Sequence, residues 1–336
     1  MALVSIQVMV CVSSPVHAAL TTEVDSATIL AGTFDTAQPN CPEGAIAVSG
    51  GTDVENVLNM EVTASAPVFG TTRLLFQPDG SAPAPTGWFG AAVNNQAFSA
   101  TMKAGAICSS DISASAEVNS MSVPSGSYAG SFVMCPMGTV AIGGGIDVNN
   151  VLTMKVTASA LLFPGPVVPI ELFGMPDGAA PAPVGWAGFV RNDDASPLPM
   201  KVAVICSSAV SPSVLIQSSP VSNGSFGGSN VQCPAGTNAT GGGIDLTNVL
   251  TMTVTSTSPL FSGMNIFLAD QPDGAGPAPS GWDAYARNDS GGDALVKVAA
   301  ICVPEPSATL VECSVWVTLA LLTAARRSRP SSLGSR

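Results

Sequence analysis

The chain has little of what enzymes commonly use for acid–base and nucleophilic catalysis. Its 336 residues include one histidine, 5% aromatic residues and 11 basic residues against 23 acidic ones. The single histidine, His17, lies in an N-terminal segment that we expect to be removed on export. Its loss excludes a Ser-His-Asp or Cys-His catalytic arrangement and a histidine metal site. We therefore predict that the protein is not an enzyme.

Basic residues are especially scarce between the two hydrophobic ends of the chain. Residues 19–304 hold 21 acidic and 7 basic side chains, which leaves a net charge of −14. Such a surface repels phosphate backbones, so binding to nucleic acid is disfavoured. Glycine and proline are abundant, and charged residues make up 10% of the chain. This composition favours short strands joined by turns.

The N-terminus has the pattern of an export signal. Residues 2–12 form an apolar run, and a short segment ending in Ala18 follows it. We predict a signal peptide over residues 1–18 with cleavage after Ala18. No Lys or Arg precedes the apolar run, which is unusual for such a signal and leaves the true start codon open.

The C-terminus combines three features in a fixed order. Val303, Pro304, Glu305 and Pro306 precede 19 mostly apolar residues, 307–325, and a basic cluster follows that contains Arg326, Arg327 and Arg329. A transmembrane helix needs about 20 apolar residues, so 307–325 is long enough to cross once. The arginines would stay on the cytoplasmic side. An ordinary C-terminal anchor is the simpler alternative.

This order of features resembles the PEP-CTERM protein-sorting signal, with residues 303–336 as the matching segment. The resemblance implies an exosortase-type membrane protease as a partner and an association with exopolysaccharide. It also implies transient anchoring in the inner membrane before transfer to the cell surface or the extracellular space. The segment departs from the family pattern in Glu312, inside the predicted span, and in the polar tail 330–336.

Three internal repeats fill the region between the two ends. Each copy opens with a CPxG block, which leads into a glycine-rich run before an Asp. Each continues to a PDG…GW motif and closes with a cysteine 20 residues after the Trp. The repeats span residues 19–110, 111–208 and 209–304, and are called repeats 1, 2 and 3 below. These CPxG…GGG…GW…IC blocks resemble repeats of secreted bacterial proteins, a resemblance that implies no particular activity.

Length differences between the copies are confined to one place. The stretch between the first block and the PDG motif holds 12, 16 and 14 residues. We predict a loop or edge hairpin there and strands elsewhere, because insertions are tolerated in surface loops. Apolar residues alternate with threonines over residues 250–255, which predicts a half-buried strand with one face exposed to water. The glycine run at 143–145 predicts a bulge or a close approach of strands.

The cysteines predict how each repeat is closed. Cys11 lies in the signal peptide and Cys313 in the predicted span, and the other six fall two per repeat. In an oxidising compartment they predict three disulfides, Cys41–Cys108, Cys135–Cys206 and Cys233–Cys302. The expected fold class is therefore all-β, with three tandem disulfide-closed β-sandwich-like repeats. A single C-terminal transmembrane sorting helix would follow them.

Several recurring residues are candidate site residues. Asp53, Asp147 and Asp245 follow the glycine runs, where calcium ligation is one interpretation and turn hydrogen bonding is favoured. Each repeat has one Trp in its GW motif, and the strand pattern predicts a core position in preference to a sugar-stacking platform. The opposite strand face is the better ligand candidate, with Phe89, Phe189, Arg191, Tyr285 and Arg287. No cofactor is predicted.

Together these observations predict an exported structural or adhesive protein of the cell surface or extracellular matrix. The first alternative is a carbohydrate-binding protein with one weak site per repeat, whose sites would act together through avidity. The second is a carboxylate-dependent hydrolase. Two packings of the repeats are open at this point, as separate units along the chain or around a pseudo-threefold axis.

Overall fold

The computed structural model describes residues 19–261 and 267–305, which fold almost entirely as antiparallel β-strands. The predicted signal peptide, Pro306, the predicted span 307–325 and the arginine cluster lie outside the described residues. No helix within 19–261 or 267–305 is both long and apolar enough to cross a membrane.

Repeat 1 forms eight strands. They are β1 (Leu20–Ile29), β2 (Phe34–Ala37), β3 (Ile46–Val54), β4 (Met60–Phe69), β5 (Thr72–Arg73), β6 (Gly80–Ala82), β7 (Gly87–Asn94) and β8 (Ala100–Ser109). A 3₁₀ helix, η1 (Leu74–Phe76), follows β5.

Repeat 2 has the same order of elements. Its strands are β9 (Ser115–Val123), β10 (Ser127–Met134), β11 (Val140–Val148), β12 (Met154–Phe163), β13 (Ile170–Glu171), β14 (Gly178–Ala180), β15 (Gly185–Asn192) and β16 (Leu198–Ser207). The 3₁₀ helix η2 (Leu172–Gly174) follows β13.

Repeat 3 keeps this order as far as its described residues extend. Its strands are β17 (Ser213–Val221), β18 (Phe226–Gln232), β19 (Thr237–Leu246), β20 (Met252–Leu260), β21 (Gly274–Gly276), β22 (Gly281–Asn288) and β23 (Ala294–Pro304), and its 3₁₀ helix is η3 (Leu268–Asp270). The stretch of variable length therefore forms short edge hairpins in repeats 1 and 2, where β5 pairs with β4 and β13 with β12.

Each repeat is a small β-sandwich, as predicted. In repeat 1, the paired strands β1, β8 and β3 form one layer, and β2, β7 and β4 form the other. The two layers contact each other, for example through β3 with β7 and β7 with β8. The predicted disulfides are all present, and each joins Cα atoms that are 5.6 Å apart.

The layers of neighbouring repeats join edge to edge into shared sheets. In the 1/2 sheet, β2-β7-β4 of repeat 1 continues into β11-β16-β9 of repeat 2, and β6 of repeat 1 then pairs with β9. The 2/3 sheet has the matching order β10-β15-β12-β19-β23-β17-β14. In each of these sheets, three strands of one repeat therefore lie between strands of the preceding repeat. The preceding repeat is said below to bracket the next one in this sense.

The same pattern closes the three repeats into a ring. The 3/1 sheet has the order β18-β22-β20-β3-β8-β1-β21, so repeat 3 brackets repeat 1. The repeats are therefore arranged cyclically, with a pseudo-threefold relation between them. They share one continuous apolar core, to which Trp88, Trp186 and Trp282 all belong.

The expectation of a water-exposed strand face at residues 250–255 is wrong. Every residue of β20 is buried, including Thr253 and Thr255. Strands β4, β12 and β20 contact one another around the ring as well as their partners within the sheets. The face that an isolated sandwich would expose to water is therefore covered by the equivalent strands of the other two repeats.

The glycine runs lie at bulges where backbones approach closely, as predicted. The register of β11 against β16 shifts between Ala141 and Gly143, and β3 and β19 shift at the equivalent places. A Cβ atom on Gly145 would lie 2.3 Å from the carbonyl oxygen of Ser65 in the neighbouring repeat. Only glycine fits such a contact without a shift of the backbone.

The first residues of the three glycine runs meet at the centre of the ring. A Cβ atom on Gly143 or on Gly241 would lie 2.8 Å from Oγ of Ser49, the residue that replaces glycine in repeat 1. Ser49 is fully buried. Its hydroxyl occupies the small central space that the two glycines leave.

Candidate functional site

The aspartates after the glycine runs join neighbouring repeats. Asp147 of repeat 2 accepts a hydrogen bond from the backbone N–H of Leu75 in η1 of repeat 1, with a distance of 3.0 Å. Asp245 accepts in the same way from Phe173 in η2, and Asp53 from Ala269 in η3, each at 2.9 Å. Each of the three aspartates also accepts the N–H of the residue that follows it. The aspartates therefore hold the preceding repeat in place, a role beyond the local turn that was expected.

The calcium interpretation of these aspartates gains no support from their surroundings. Within residues 19–261 and 267–305, no three acidic, histidine or cysteine side chains are grouped so that they could hold a metal ion. All three aspartates are buried, at 4% exposure or less. Their oxygens face hydrogen-bond donors of the protein itself.

A recurring lysine adds a second contact between neighbouring repeats. The contact regions between repeats 1 and 2, 2 and 3, and 3 and 1 are called the 1/2, 2/3 and 3/1 junctions below. Lys103, Lys201 and Lys297 lie directly opposite the three aspartates in the strand register. Each Nζ donates to a backbone carbonyl of the preceding repeat, that of Gln271, Gln77 and Met175 respectively. Sequence reasoning missed this role. The available signal was a lysine five residues before each closing cysteine.

The PDG aspartates lie beside the same lysines. Lys201 Nζ is 3.2 Å from Asp79 of repeat 1, and the pairs Lys297–Asp177 and Lys103–Asp273 are each separated by 3.8 Å. Hydrogen bonds from Ser120 and Ser218 in the following repeats, with the nearby lysines, lower the pKa values of Asp79 and Asp177. Each PDG turn thus places the carboxylate of its aspartate beside a lysine of the following repeat.

Two positions distinguish the three junctions from one another. The first immediately precedes the 3₁₀ helix and holds Arg73, Glu171 or Phe267. The second follows the buried Trp and holds Phe89, Ala187 or Asp283. These second residues are equivalent in the sheet, because they pair with Ala66, Ala160 and Ser258.

The 1/2 junction is filled by an internal cation. The guanidinium of Arg73 lies 3.8 Å from the centre of the Phe89 ring. It also donates to both carboxylate oxygens of Asp147, at 2.5 and 3.3 Å. One side chain of the protein therefore donates hydrogen bonds to the buried carboxylate and also makes a cation–π contact with the aromatic ring.

The 2/3 junction has an acidic residue at the place of Arg73. Glu171 is half-buried, and burial raises its pKa. Burial also raises the pKa of Asp245, to about 6, and the nearby Glu171 charge adds to that increase. Ala187, at the place of Phe89, offers neither a ring nor a charge.

The 3/1 junction contains an open pocket with a volume of about 560 Å³. Phe267 lies at the place of Arg73, and Asp283 at the place of Phe89. The pocket is lined by both repeats, and its lining includes Asp53, Asp270, Asp283, Phe226, Phe267 and Tyr285. The rings of Phe267 and Tyr285 are 6.3 Å apart in an edge-to-face arrangement.

Asp283 is fully buried and lines this pocket. Its Oδ1 accepts from the hydroxyl of Ser258 at 2.9 Å, whereas its Oδ2 has no hydrogen-bond partner among the described residues. Burial, together with the nearby charge of Asp53, raises the pKa of Asp283 well above its ordinary value. Ser256 donates to Asp53 at 2.8 Å, and burial raises the pKa of Asp53 as well.

These polar residues of repeat 3 were not predicted. Ser256 and Ser258 are aligned with Ala64 and Ala66 in repeat 1 and with alanines in repeat 2. A residue-by-residue alignment of the three copies would have shown that repeat 3 alone has this buried polar group. The departure is informative because burying unpaired polar atoms costs stability.

The five residues of the expected ligand face take different positions. Phe89 is buried beneath Arg73, and Phe189 is half-buried with its ring 5.7 Å from that of Phe132. Arg191 donates to the carbonyl of Leu250 in repeat 3 at 2.7 Å. Tyr285 lines the pocket of the 3/1 junction.

The remaining arginine of this set takes part in an ion-pair network of all three repeats. Arg287 of repeat 3 lies 2.8 Å from Glu61 of repeat 1, and Lys155 of repeat 2 lies 2.8 Å from the other oxygen of the same carboxylate. Glu61 is 2% exposed, and each of its two carboxylate oxygens is paired with a cation from a different repeat.

The sorting motif begins inside the last strand. Val303 is buried and pairs with Asn238, Pro304 is exposed and pairs with Thr237, and both belong to β23. The N–H of the exposed Glu305 donates to the carbonyl of Gly236 at 2.9 Å. The folded repeats therefore extend as far as the predicted processing motif.

No protein-family model matches the chain, and no curated protein matches it either. Among solved structures, the chain is similar to one described as "The Triple Jelly Roll Fold and Turret Assembly in an Archaeal Virus", at 11% identity. The match covers 85% of this chain and 91% of the viral chain, with a TM-score of 0.16. At this TM-score the likeness carries no argument about fold or function.

Proposed function

We propose that the protein is an exported, non-enzymatic structural or adhesive component of the cell surface or extracellular matrix, associated with exopolysaccharide. The observation that carries this proposal is the ring of three disulfide-closed sandwiches joined by shared sheets. The disulfides indicate an oxidising, extracellular environment. A ring in which each repeat brackets the next suits a protein that must stay folded outside the cell.

The position of the sorting motif supports processing by an exosortase-type protease. Pro304 and Glu305 are exposed at the end of β23, immediately after the buried Val303. The proposed protease would act at the edge of the folded ring, and the ring would leave the inner membrane after cleavage. Arg326, Arg327 and Arg329 would remain on the cytoplasmic side until then.

Intact-mass measurement and cell fractionation test the sorting step. In a host with the exosortase, we expect the mature protein to lack residues 307–336 and to be found outside the inner membrane. Replacing Pro304, Glu305 and Pro306 by alanines should leave the full-length form in that membrane. A wild-type mass that still includes the arginine tail would show a plain membrane anchor instead.

Co-sedimentation with exopolysaccharide from the same cells tests the association. We expect the processed protein to sediment with the polysaccharide and to remain soluble after the polysaccharide is enzymatically removed. A glycan array separates this role from the carbohydrate-binding alternative, which predicts saturable binding of a defined oligosaccharide. Hydrolysis of an array glycan would support the carboxylate-dependent hydrolase.

A further inference from the structure

The residues at equivalent positions of the 1/2 and 3/1 junctions can be compared directly, and the comparison indicates which chemical group the 3/1 pocket could bind. At the 1/2 junction, a guanidinium lies between a buried carboxylate, Asp147, and the group that follows the Trp, Phe89. At the 3/1 junction the equivalent carboxylate, Asp53, is present, and Asp283 replaces the ring. Phe267, at the place of Arg73, lines a pocket of about 560 Å³ together with both aspartates.

The chemistry of this pocket is that of a receptor for a cation. Four carboxyl groups line it, those of Asp53, Glu55, Asp270 and Asp283. The one lysine in its lining, Lys103, already donates to the carbonyl of Gln271. The rings of Phe226, Phe267 and Tyr285 supply aromatic surface, which attracts cations through the negative faces of the rings.

Asp283 gives the second, independent indication of a ligand. It is fully buried, lines the pocket and has an oxygen, Oδ2, with no partner in the described part of the chain. Repeat 2 has alanine at this position, so the fold does not require a carboxyl group there. A buried acceptor without a donor is costly, and a bound group with N–H donors would remove that cost.

We propose that the pocket between repeats 3 and 1 binds a guanidinium group supplied from outside the chain. The planar fork of a guanidinium can donate to two carboxylates at once and stack against an aromatic ring. At the 1/2 junction, Arg73 donates to both oxygens of one carboxylate, Asp147, and lies over the Phe89 ring. The source is either a free small guanidinium compound or the arginine side chain of another protein.

Isothermal titration of the full-length chain, with its disulfides formed, tests this proposal. The probes are methylguanidinium, the tripeptide Gly-Arg-Gly and the tripeptide Gly-Lys-Gly, at constant ionic strength. We expect saturable binding of methylguanidinium and of Gly-Arg-Gly, and weaker binding of Gly-Lys-Gly. Tighter binding of Gly-Arg-Gly than of methylguanidinium assigns the site to an arginine side chain, and the reverse order assigns it to a free compound.

Two variants locate the binding in this pocket. Asp283→Ala, which introduces the residue of repeat 2, should weaken guanidinium binding by about tenfold or more, the loss expected for a charge-assisted hydrogen bond. Phe267→Arg places an arginine at the position equivalent to Arg73, so it should fill the pocket from within. It should abolish binding and raise the melting temperature.

A matched control removes an acidic residue outside the pocket. Asp293→Ala, at an exposed position before β23, should bind methylguanidinium as the wild type does. The proposal is overturned if the wild type shows no saturable binding, or if Gly-Lys-Gly binds as tightly as Gly-Arg-Gly. Unchanged binding in Phe267→Arg would also overturn it, since this variant remains informative even if Asp283→Ala fails to fold.

Discussion

Trp186 packs directly against the backbone of Gly144, so closely that a Cβ atom on the glycine would lie 2.4 Å from the indole ring. The indole Nε1 donates to the hydroxyl of Ser159 at 3.0 Å, which fixes the ring in this position. The same contact recurs between Gly50 and Trp88 and between Gly242 and Trp282. The glycine run and the GW motif are therefore two halves of one packing arrangement.

This contact predicts a strong coupling between the two residues. Gly144→Ala should destabilise the protein by about 1–3 kcal/mol or more, because the added methyl group overlaps the ring and lies 2.7 Å from the carbonyl oxygen of Ala203. Trp186→Ala should cost about 3–5 kcal/mol through the cavity that it leaves. In the double variant the overlap with the ring is gone and only the close contact with the Ala203 carbonyl oxygen remains, so the cost should be below the sum of the two. Chemical denaturation of the four proteins measures the coupling.

A glycine without close neighbours provides the control for this series. A Cβ atom on Gly292 would meet nothing within 4 Å, and its backbone is not in the left-handed region. Gly292→Ala should therefore change stability by less than about 0.5 kcal/mol. Additive costs for Gly144→Ala and Trp186→Ala would contradict the packing described above.

The ion pair at the 1/2 junction should stabilise the ring. Asp147 is fully buried, so Asp147→Ala leaves the N–H of Leu75 and the Arg73 guanidinium without their acceptor. We expect a loss of about 2–4 kcal/mol, somewhat below the cost of an uncompensated buried charge, because Arg73 can turn toward solvent. A double-mutant cycle with Arg73→Met and Asp147→Ala measures the pair. A coupling near zero would assign the loss to the backbone hydrogen bond alone.

The buried aspartates predict that mild acid stabilises the protein. Burial raises the pKa of Asp245 from 3.8 to about 6, and it raises the pKa values of Asp53 and Asp283 as well. Between pH 3.8 and 6 the folded protein holds a proton on Asp245 that the unfolded chain has lost, so stability falls as the pH rises through this window. A shift of about two units corresponds to about 3 kcal/mol.

Urea denaturation between pH 7 and pH 4 measures this dependence. We expect the free energy of unfolding to increase toward pH 4 and to decrease below it, where the lowered pKa values of Asp79 and Asp177 make the opposite contribution. Asp245→Asn should flatten the slope between pH 4 and 6. A stability that declines steadily from pH 7 to pH 4 would show that these aspartates are not protonated in the folded protein.

A single repeat should not fold by itself. Residues 19–110 expressed alone would leave β3 without β20 and β4 without β11, and would expose the face of these buried strands that the other repeats cover. We expect such a fragment to lack a cooperative thermal transition even with Cys41–Cys108 formed. The full chain should unfold in one transition. Circular dichroism and calorimetry distinguish this outcome from three independent sandwiches, whose fragment would melt cooperatively.

Much of the fold could be predicted from local patterns. Glycine, proline and alternating apolar residues indicated strands, and the positions of the cysteines within the repeats gave the three disulfide pairs. The burial of the tryptophans followed from the small apolar residues that share their strand face. These features depend on periodicity and on neighbours within one repeat, both of which the amino-acid order records directly.

The contacts between residues of different repeats could be identified only from the tertiary structure. The threonines of β20 have the pattern of an exposed face, yet they are buried because the equivalent strands of the other repeats cover them. Asp147 and Lys201 look like turn and surface residues, yet they join repeat 2 to repeat 1. Contacts between residues about 70 to 220 positions apart leave no local periodicity in the sequence.

The sequence by itself therefore determined the strand content, the disulfide pairing and the core position of the tryptophans, since each depends on spacing within one repeat. Only the tertiary structure decided that the repeats share sheets in a closed ring. It also decided that Asp53 of repeat 1 and Asp283 of repeat 3 line one pocket. The physical reason is that ring closure brings the first and last repeats together, and no local pattern encodes that contact.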